Sequence, residues 1–317
     1  MAKGNKRNKG LTVVLILLIL ILCGSGVANY FMFTKLNSKK KEYKNAEEEY
    51  KVQKEEYDAK AKEVTDAADK LKQYENIDEL VVSAKKGYYA EIKNLEDKIN
   101  AGTSNAKIAY LTFDDGPYYS TYRFFEVLEK YNVKATFFTQ SGNGTYCYDK
   151  KSYNCWELYK EYEKRGHTLA NHTSEHSIWG TTYSSVNTFL AQVKEQHDHI
   201  YNQSGTVVNI FRFPGGIPTA QKMLGTAGYE AATNGLRNMG YGWVDWTAQD
   251  GDGLESLSST AEAMNYLKNE TQDKIEVILM HDYNEYTLAI LPGAIEYLRS
   301  KGYTLLPLFY ESSMINK

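Results

Sequence analysis

Two adjacent carboxylates, Asp114 and Asp115, follow an apolar stretch from Ile108 to Phe113 and precede Gly116 and Pro117. Successive side chains of a strand point to opposite faces, so both carboxylates can share one site only where the chain leaves the strand. Gly-Pro favours that exit. The pair could supply a base and a cation ligand, although Asp-Asp-Gly is also ordinary turn chemistry.

Two histidines could complete a cation site. His172 and His176 are four residues apart and follow an apolar segment around Leu169. On one helical turn they would share a face and could hold one cation. With Asp115 they would form a 2-His-1-carboxylate set that leaves a coordination position open, as catalytic sites do. The plainer alternative is a pair of solvated surface histidines.

An arginine and a third histidine follow other apolar runs. Arg212 could form a bidentate bond with a carboxylate, or it could be a surface arginine beside an ordinary turn. His281 comes directly after Val277–Met280 and titrates near neutral pH, although many such histidines only pack or cap.

Short apolar runs separated by helical patterns must position these groups. Alternation of strand and helix predicts a parallel sheet, and about seven such units predict an α/β barrel. Active sites of such barrels lie at the carboxyl ends of the strands. The predicted strands are Ile108–Phe113, Ala135–Thr139, His167–Ala170, Ile210–Phe213, Tyr241–Trp246, Glu276–Met280 and Thr304–Phe309, and helical patterns include Thr121–Tyr131 and Asn154–Arg165.

The amino-terminal region predicts a membrane anchor. Residues 1–10 form a basic, cytoplasmic tail, and Leu11–Phe33 contains no charged residue and is long enough to span a bilayer. A cleaved signal peptide is the alternative. Lysines on both sides of the segment leave its orientation open by charge counting. We expect a single-pass protein of the cell membrane with an extracellular catalytic domain.

Residues 34–100 predict a helical stalk. They are rich in Lys, Glu and Ala, contain no proline and carry an imperfect heptad. This pattern could give a weak coiled coil and a homo-oligomer, a hairpin that folds back near Asn76–Asp78, or a solvated helix. A linker at 101–106 then leads to a catalytic domain at 107–317, in which Cys147 and Cys155 could form a disulfide or remain free.

Five segments, in this order, resemble the motifs of the polysaccharide deacetylases, the NodB-homology enzymes of carbohydrate esterase family 4. The likeness covers roughly Lys107–Leu308 and leaves out the anchor and the stalk. The segments are TFDDGP at Thr112–Pro117, HTSEH at His172–His176, RFPGG at Arg212–Gly216, DWTAQDGD at Asp245–Asp252 and LMH at Leu279–His281.

The resemblance implies a distorted (β/α)7-type barrel and a divalent metal bound by Asp115, His172 and His176. Zinc is the usual metal of the family, and cobalt or nickel would suit the same donors. The resemblance also implies that Asp114 is the general base and His281 the general acid.

Further roles concern an arginine, a glycine and an aspartate. Arg212 would hold the base ionised by its opposite charge. The family often has a tyrosine where Gly215 stands, and the role implied there is a backbone amide that binds the oxyanion, which glycine retains. The aspartate that tunes the acid aligns with Asp252, although Asp250 and Asp245 remain open.

The expected reaction removes N-acetyl groups from the hexosamine units of a cell-envelope polysaccharide, with peptidoglycan as the first expectation. Alternatives are an exopolysaccharide, chitin oligomers or acetylxylan as substrate, or a non-catalytic membrane scaffold that binds glycan. A net charge of -3 argues against a nucleic-acid partner.

Overall fold

The computed structural model describes residues 77–142, 155–254 and 256–317, with a few helical positions between 51 and 62. The chain divides into two compact units, Met1–Tyr88 and Tyr89–Lys317. The predicted anchor, most of the predicted stalk and Cys147 lie outside the described residues. Among the helices that are described, none combines the length and the apolar character needed to cross a membrane.

The second unit is built on one eight-stranded sheet, and every strand pairing described is parallel. The order is β5-β4-β3-β2-β1-β7-β6, and β8 pairs with the first half of β1. In the described part, no pairing closes the sheet between its edge strands, so the barrel is open. The strands are β1 Lys107–Asp114, β2 Thr136–Thr139, β3 Thr168–Asn171, β4 Ile210–Phe211, β5 Gly242–Trp243, β6 Ala248–Gln249, β7 Ile275–His281 and β8 Tyr303–Leu306.

All seven predicted strands are present, with shifted ends, and β6 was not predicted. Helices follow most strands, as the parallel pairing requires. They are α1 Ile77–Asn100, α2 Thr121–Lys130, α3 Tyr159–Lys164, α4 Val186–Ser204, α5 Gly216–Asn238, α6 Thr260–Glu270 and α7 Glu285–Ser300, with a 3-10 turn at Cys155–Leu158. The helix predicted to end at Arg165 is thus a 3-10 turn followed by a short α-helix.

Strand β1 separates two apolar clusters because its side chains alternate. Leu111 and Phe113 belong to the cluster that packs against the helices. Ile108 and Tyr110 belong to the second cluster, inside the curved sheet. The same alternation places Asp114 on the inner face at the carboxyl end of the strand.

The second half of α1 packs onto this inner cluster. Ile92 and Ile99 are buried in it, and Tyr89 stacks on Phe309 with ring centroids 4.8 Å apart. Both isoleucines are apolar positions of the heptad pattern that the sequence shows over residues 34–100, seven residues apart. Their apolar character is therefore accounted for by packing within the second unit, and oligomerisation of the stalk stays a prediction.

Candidate active site

The chain leaves β1 between the paired aspartates and a tight turn. Asp115 has a φ of 74°, in the left-handed region that Asp tolerates better than most residues, and the Gly116–Pro117 peptide is cis. Gly116 leaves no room for a side chain, because a Cβ there would lie 2.5 Å from an oxygen of Asp282. The exit from the strand thus lets both aspartates share one site: an oxygen of Asp114 lies 3.7 Å and an oxygen of Asp115 lies 3.6 Å from Nε2 of His172.

His172 and His176 do converge on Asp115, and one ligand atom of each residue lies within 4.8 Å of the others. They do so without the predicted helical turn. Thr173 has a φ of 68°, and its N–H donates to the side chain of Asn171 over 2.9 Å. This irregular loop, fixed by a side-chain contact, corrects the helical expectation.

The donor set fits a cation. Nδ1 of His172 lies 2.8 Å from the carbonyl oxygen of Arg212, and since a carbonyl only accepts, Nδ1 carries the proton. Burial and the charge of His176 lower the pKa of His172 to about 3, so its ring is neutral. The lone pair on Nε2 then lies 3.6 Å from Oδ1 of Asp115. Two acceptors that face each other, with a second histidine beside them, form a donor set that could hold a cation.

Asp114 is held by a fully buried arginine. Nη1 of Arg212 donates to Asp114 Oδ1 over 2.9 Å and to Thr112 over 2.7 Å, and Nη2 donates to the carbonyl of Asp245 over 3.1 Å. Burial raises the pKa of Asp114, and the charge of Arg212 opposes this only in part. The pKa of Asp114 thus rises, opposite to the effect expected from Arg212 alone, and Asp114 is a stronger base than an exposed aspartate.

His281 is paired with Asp252. Among the described hydrogen bonds, none joins His281 to Asp250 or Asp245, the two alternatives that the sequence left open. Nδ1 lies 2.6 Å from Asp252 Oδ1, and the His281 N–H donates to Oδ2 over 2.7 Å. Burial lowers the pKa of His281, but the charge and hydrogen bond of Asp252, with Asp115 and Asp114, raise it to about 10. The imidazole therefore carries a proton at neutral pH and can give it up from Nε2.

A hydroxyl links Asp252 to Asp250. Thr287 Oγ1 lies 2.6 Å from Asp252 and 2.8 Å from Asp250. One hydroxyl proton serves one acceptor. Burial and the charge of Asp252 raise the pKa of Asp250 to about 8, whereas the pKa of Asp252 is lowered because burial is outweighed by the charge of His281 together with the hydrogen bonds that Asp252 accepts. Asp245 instead accepts the N–H of Ile217, in the first turn of α5, over 3.1 Å.

Gly215 precedes α5 in the left-handed conformation, with a φ of 71°. A Cβ at this position would lie 2.7 Å from Cδ1 of Ile178. Both facts favour glycine where the family often has tyrosine. The proposed use of its amide as an oxyanion donor stays a prediction.

Sequence reasoning missed two buried residues of the site. Gln140 Nε2 donates to Asp115 Oδ1 over 3.0 Å. Asp282 accepts from the hydroxyl of Thr121, and burial raises its pKa to about 7. Gln140 directly follows the predicted strand Ala135–Thr139, and Asp282 directly follows the motif Leu279–His281. A polar side chain immediately after a predicted strand was the signal that could have identified both residues.

Comparisons with known proteins agree with this geometry. The sequence model of the polysaccharide deacetylase family matches residues 101–232. A peptidoglycan-N-acetylglucosamine deacetylase of Bacillus cereus is 30% identical over 207 residues, which are 62% of this chain and 67% of the relative. A bifunctional xylanase/deacetylase of Pseudobutyrivibrio xylanivorans is 30% identical over 215 residues, but the match spans only 32% of that protein.

A solved structure gives the same result. The catalytic domain of a peptidoglycan N-acetylglucosamine deacetylase from Eubacterium rectale superposes with a TM-score of 0.59 at 31% identity. The match covers 67% of this chain and 92% of that domain. Parallel sheet, motif order and relatives agree, and the chain belongs to the polysaccharide deacetylase family.

Proposed function

We propose that this chain is a metal-dependent hydrolase that removes N-acetyl groups from hexosamine units of a cell-envelope polysaccharide, with peptidoglycan as the first candidate. One observation carries the proposal: the lone pair of His172 Nε2 faces a carboxylate oxygen of Asp115 at 3.6 Å. This acceptor pair lies beside a buried base, Asp114, and a protonated histidine, His281. A cation site, a base and an acid together suit amide hydrolysis.

Asp115, His172 and His176 would hold the ion. Imidazole and carboxylate donors accept zinc, cobalt or nickel, and zinc is our first candidate. When bound, such an ion lowers the pKa of water and polarises a carbonyl group. The hydrogen bond from His172 Nδ1 to a backbone carbonyl fixes the tautomer and the ring orientation that this role requires.

The remaining steps belong to the side chains. Asp114, oriented by Arg212, takes a proton from the attacking water as the new carbon–oxygen bond forms. The amide of Gly215 would donate to the developing oxyanion. His281, held by Asp252, gives its proton to the departing nitrogen as the carbon–nitrogen bond breaks. The products are a free amine and acetic acid, which ionises to acetate in solution. One proton has moved from water to Asp114 and one from His281 to the nitrogen, and the enzyme is restored when Asp114 loses its proton and His281 regains one.

The choice of substrate is supported by names and by location. Two of the similar proteins above are named as peptidoglycan N-acetylglucosamine deacetylases. The apolar segment Leu11–Phe33, as an anchor with the catalytic domain outside the cell, would keep the enzyme at its own wall. Membrane localisation, the orientation and a homo-oligomeric stalk are parts of the proposal that rest on sequence pattern.

The test is acetate release by the full-length chain from N-acetylglucosamine oligomers, peptidoglycan and acetylxylan, with and without a chelator. We expect release from the first two, its loss with chelator and its recovery with zinc. Asp114→Asn should abolish release, while Asp198→Asn, which changes an aspartate of an exposed ion pair, should not.

Three outcomes would change the proposal. Equal release by the wild type and Asp114→Asn would refute the mechanism. Release from acetylxylan alone would make the protein an O-deacetylase. Metal binding without release from any acetylated polymer would favour a non-catalytic scaffold that binds glycan.

A further inference from the structure

Two tyrosine rings extend outward from the candidate acid. Tyr283 lies two residues after His281, and their ring centroids are 5.3 Å apart at an interplanar angle of 41°. Tyr118 follows Pro117 and meets Tyr283 edge to face, with centroids 5.1 Å apart at 67°. We call Tyr118 and Tyr283 the tyrosine pair. It joins the loops after β1 and β7, which are neighbouring strands.

The tyrosine pair is placed where packing alone does not require aromatic rings. Tyr283 is 40% exposed and Tyr118 is partly exposed, while Phe113 and Phe137 of the adjacent strands are fully buried. An exposed aromatic surface next to a site commonly marks a binding surface. A ring contact between the two loops also restricts their side chains before any ligand arrives, which reduces the entropy cost of binding.

Sugar rings are suitable ligands for such a surface. A pyranose ring has a face of C–H groups and an edge of hydroxyls, so it can cover an aromatic face while its hydroxyls stay hydrated. Tyrosine offers the same combination of an apolar body and a polar tip. The burial of Tyr283 beside three carboxylates, Asp115, Asp252 and Asp282, raises the pKa of its phenol, so the hydroxyl stays neutral and can donate to a sugar oxygen.

We propose that the tyrosine pair binds the sugar ring next to the one that loses its acetyl group. The inference rests on the proposed function, because the reacting nitrogen must lie at His281 to receive its proton. In a polymer, the neighbouring ring then extends past His281. On the β1–β7 side of the site, the surface that continues from His281 is Tyr283 and then Tyr118. This assigns a specificity role to the pair: it favours polymers over single sugars.

Kinetics with N-acetylglucosamine substrates of increasing length test the assignment. For the wild type, kcat/KM should rise when a second sugar is added. For the longer substrates, Tyr283→Ala should lower kcat/KM by about tenfold, which is the effect of losing one ring contact. The change should appear as a higher KM, with kcat unchanged. The loss should be smaller on the shortest substrate than on the longer ones, and Tyr283→Phe should keep most of the rise because the ring remains.

A matched control comes from the opposite end of the fold. Tyr201 is 53% exposed near the carboxyl end of α4, away from the strand ends that carry the site. Tyr201→Ala should leave the dependence on length as it is. An equal loss by Tyr283→Ala on substrates of every length would overturn the proposal, because the tyrosine would then act through His281. No loss at all would overturn it too.

Binding separates this proposal from the proposed function. Calorimetric titration with N-acetylglucosamine oligomers needs no turnover, so it applies even if the wild type releases no acetate. Tyr283→Ala should then bind oligomers about tenfold more weakly than the wild type does. Equal affinity of the two proteins would refute the tyrosine pair as a subsite, whereas failure of acetate release alone would refute only the deacetylase activity.

Discussion

Two buried carboxylates at opposite halves of β1 have different surroundings. One contacts the first half of the strand, and the other is its last residue, Asp114. Glu96, in α1, accepts from the hydroxyls of Tyr110 and Ser312 over 2.6 Å each and from the N–H of Ser313 over 2.8 Å. Asp114 has Arg212 on one oxygen, while its other oxygen lies 3.7 Å from the Nε2 lone pair of His172. The first carboxylate is satisfied by the fold. The second lies beside the residues that could hold a cation, Asp115, His172 and His176. We therefore call the half of β1 near Glu96 its structural end and the half near Asp114 its chemical end.

The largest expected effect lies at the chemical end, in Asp252→Asn. The carboxylate raises the pKa of His281, so its loss should lower that pKa by about 1–3 units. The protonated fraction of His281 then falls at neutral and alkaline pH. The alkaline limb of the kcat/KM profile should move to lower pH. At pH 8 the smaller protonated fraction should reduce the rate by up to about tenfold, and the loss of the group that holds the imidazole should reduce it further.

The matched variant is Asp250→Asn, which keeps a hydrogen-bonding group near Thr287 and leaves the charge of Asp252 in place. It should shift the alkaline limb much less. An unchanged limb in Asp252→Asn would mean that His281 is not the acid.

The next effect lies at the structural end, in Glu96→Ala. It leaves two hydroxyls and one backbone N–H without their buried acceptor, and an unpaired buried polar group costs about 1–3 kcal/mol. Urea unfolding should report a loss of that size in the free energy of unfolding. The kcat of the folded fraction should stay at the wild-type value.

Glu91→Ala is the control on the same helix, because Glu91 is exposed. It should change the free energy of unfolding by less than about 0.5 kcal/mol. A fall in kcat for Glu96→Ala without a fall in stability would contradict the division between the two ends.

The smallest effect concerns Gln140→Leu, which removes the donor to Asp115 and keeps a similar volume. Residues that orient a metal ligand typically contribute about 10–100-fold to metal affinity. Competition of zinc with a chromophoric chelator should show a loss in this range. Gln272→Leu changes a glutamine whose side chain donates to the carbonyl of Asn269 in α6, and it should leave zinc affinity unchanged.

Local pattern predicted the parts of this molecule that depend on few contacts. The runs at Ile108–Phe113 and Glu276–Met280 are buried on both faces, so composition alone indicates strands. The motif residues at their ends then meet because parallel strands align their carboxyl ends. Asp115, His172 and His176 converge for that reason.

Contacts between distant segments could not be read in the same way. The loop that carries His172 and His176 depends on the hydrogen bond from the N–H of Thr173 to the side chain of Asn171. A helical turn would also bring two histidines four residues apart together, so the spacing could not distinguish the loop from a helix. Asp252 contacts His281 across a separation of 29 residues, and the spacing of Asp245, Asp250 and Asp252 does not show which of the three makes that contact. The buried face of α1 has the same residue spacing as the interface of a coiled coil. Ile92 and Ile99 therefore agreed both with a coiled-coil stalk and with packing against the sheet.

The contacts of Glu96 also bear on where this enzyme can be cut or transplanted. Glu96 lies in α1, which precedes β1, and accepts hydrogen bonds from Ser312 and Ser313, which follow β8. The first and last segments of the second unit are therefore in contact with each other. The region matched by the family begins at residue 101, after that helix. A graft of 101–317 would carry every motif and leave the interior around Tyr110 uncovered. A graft that begins before Tyr89 would carry both the chemistry and its cover.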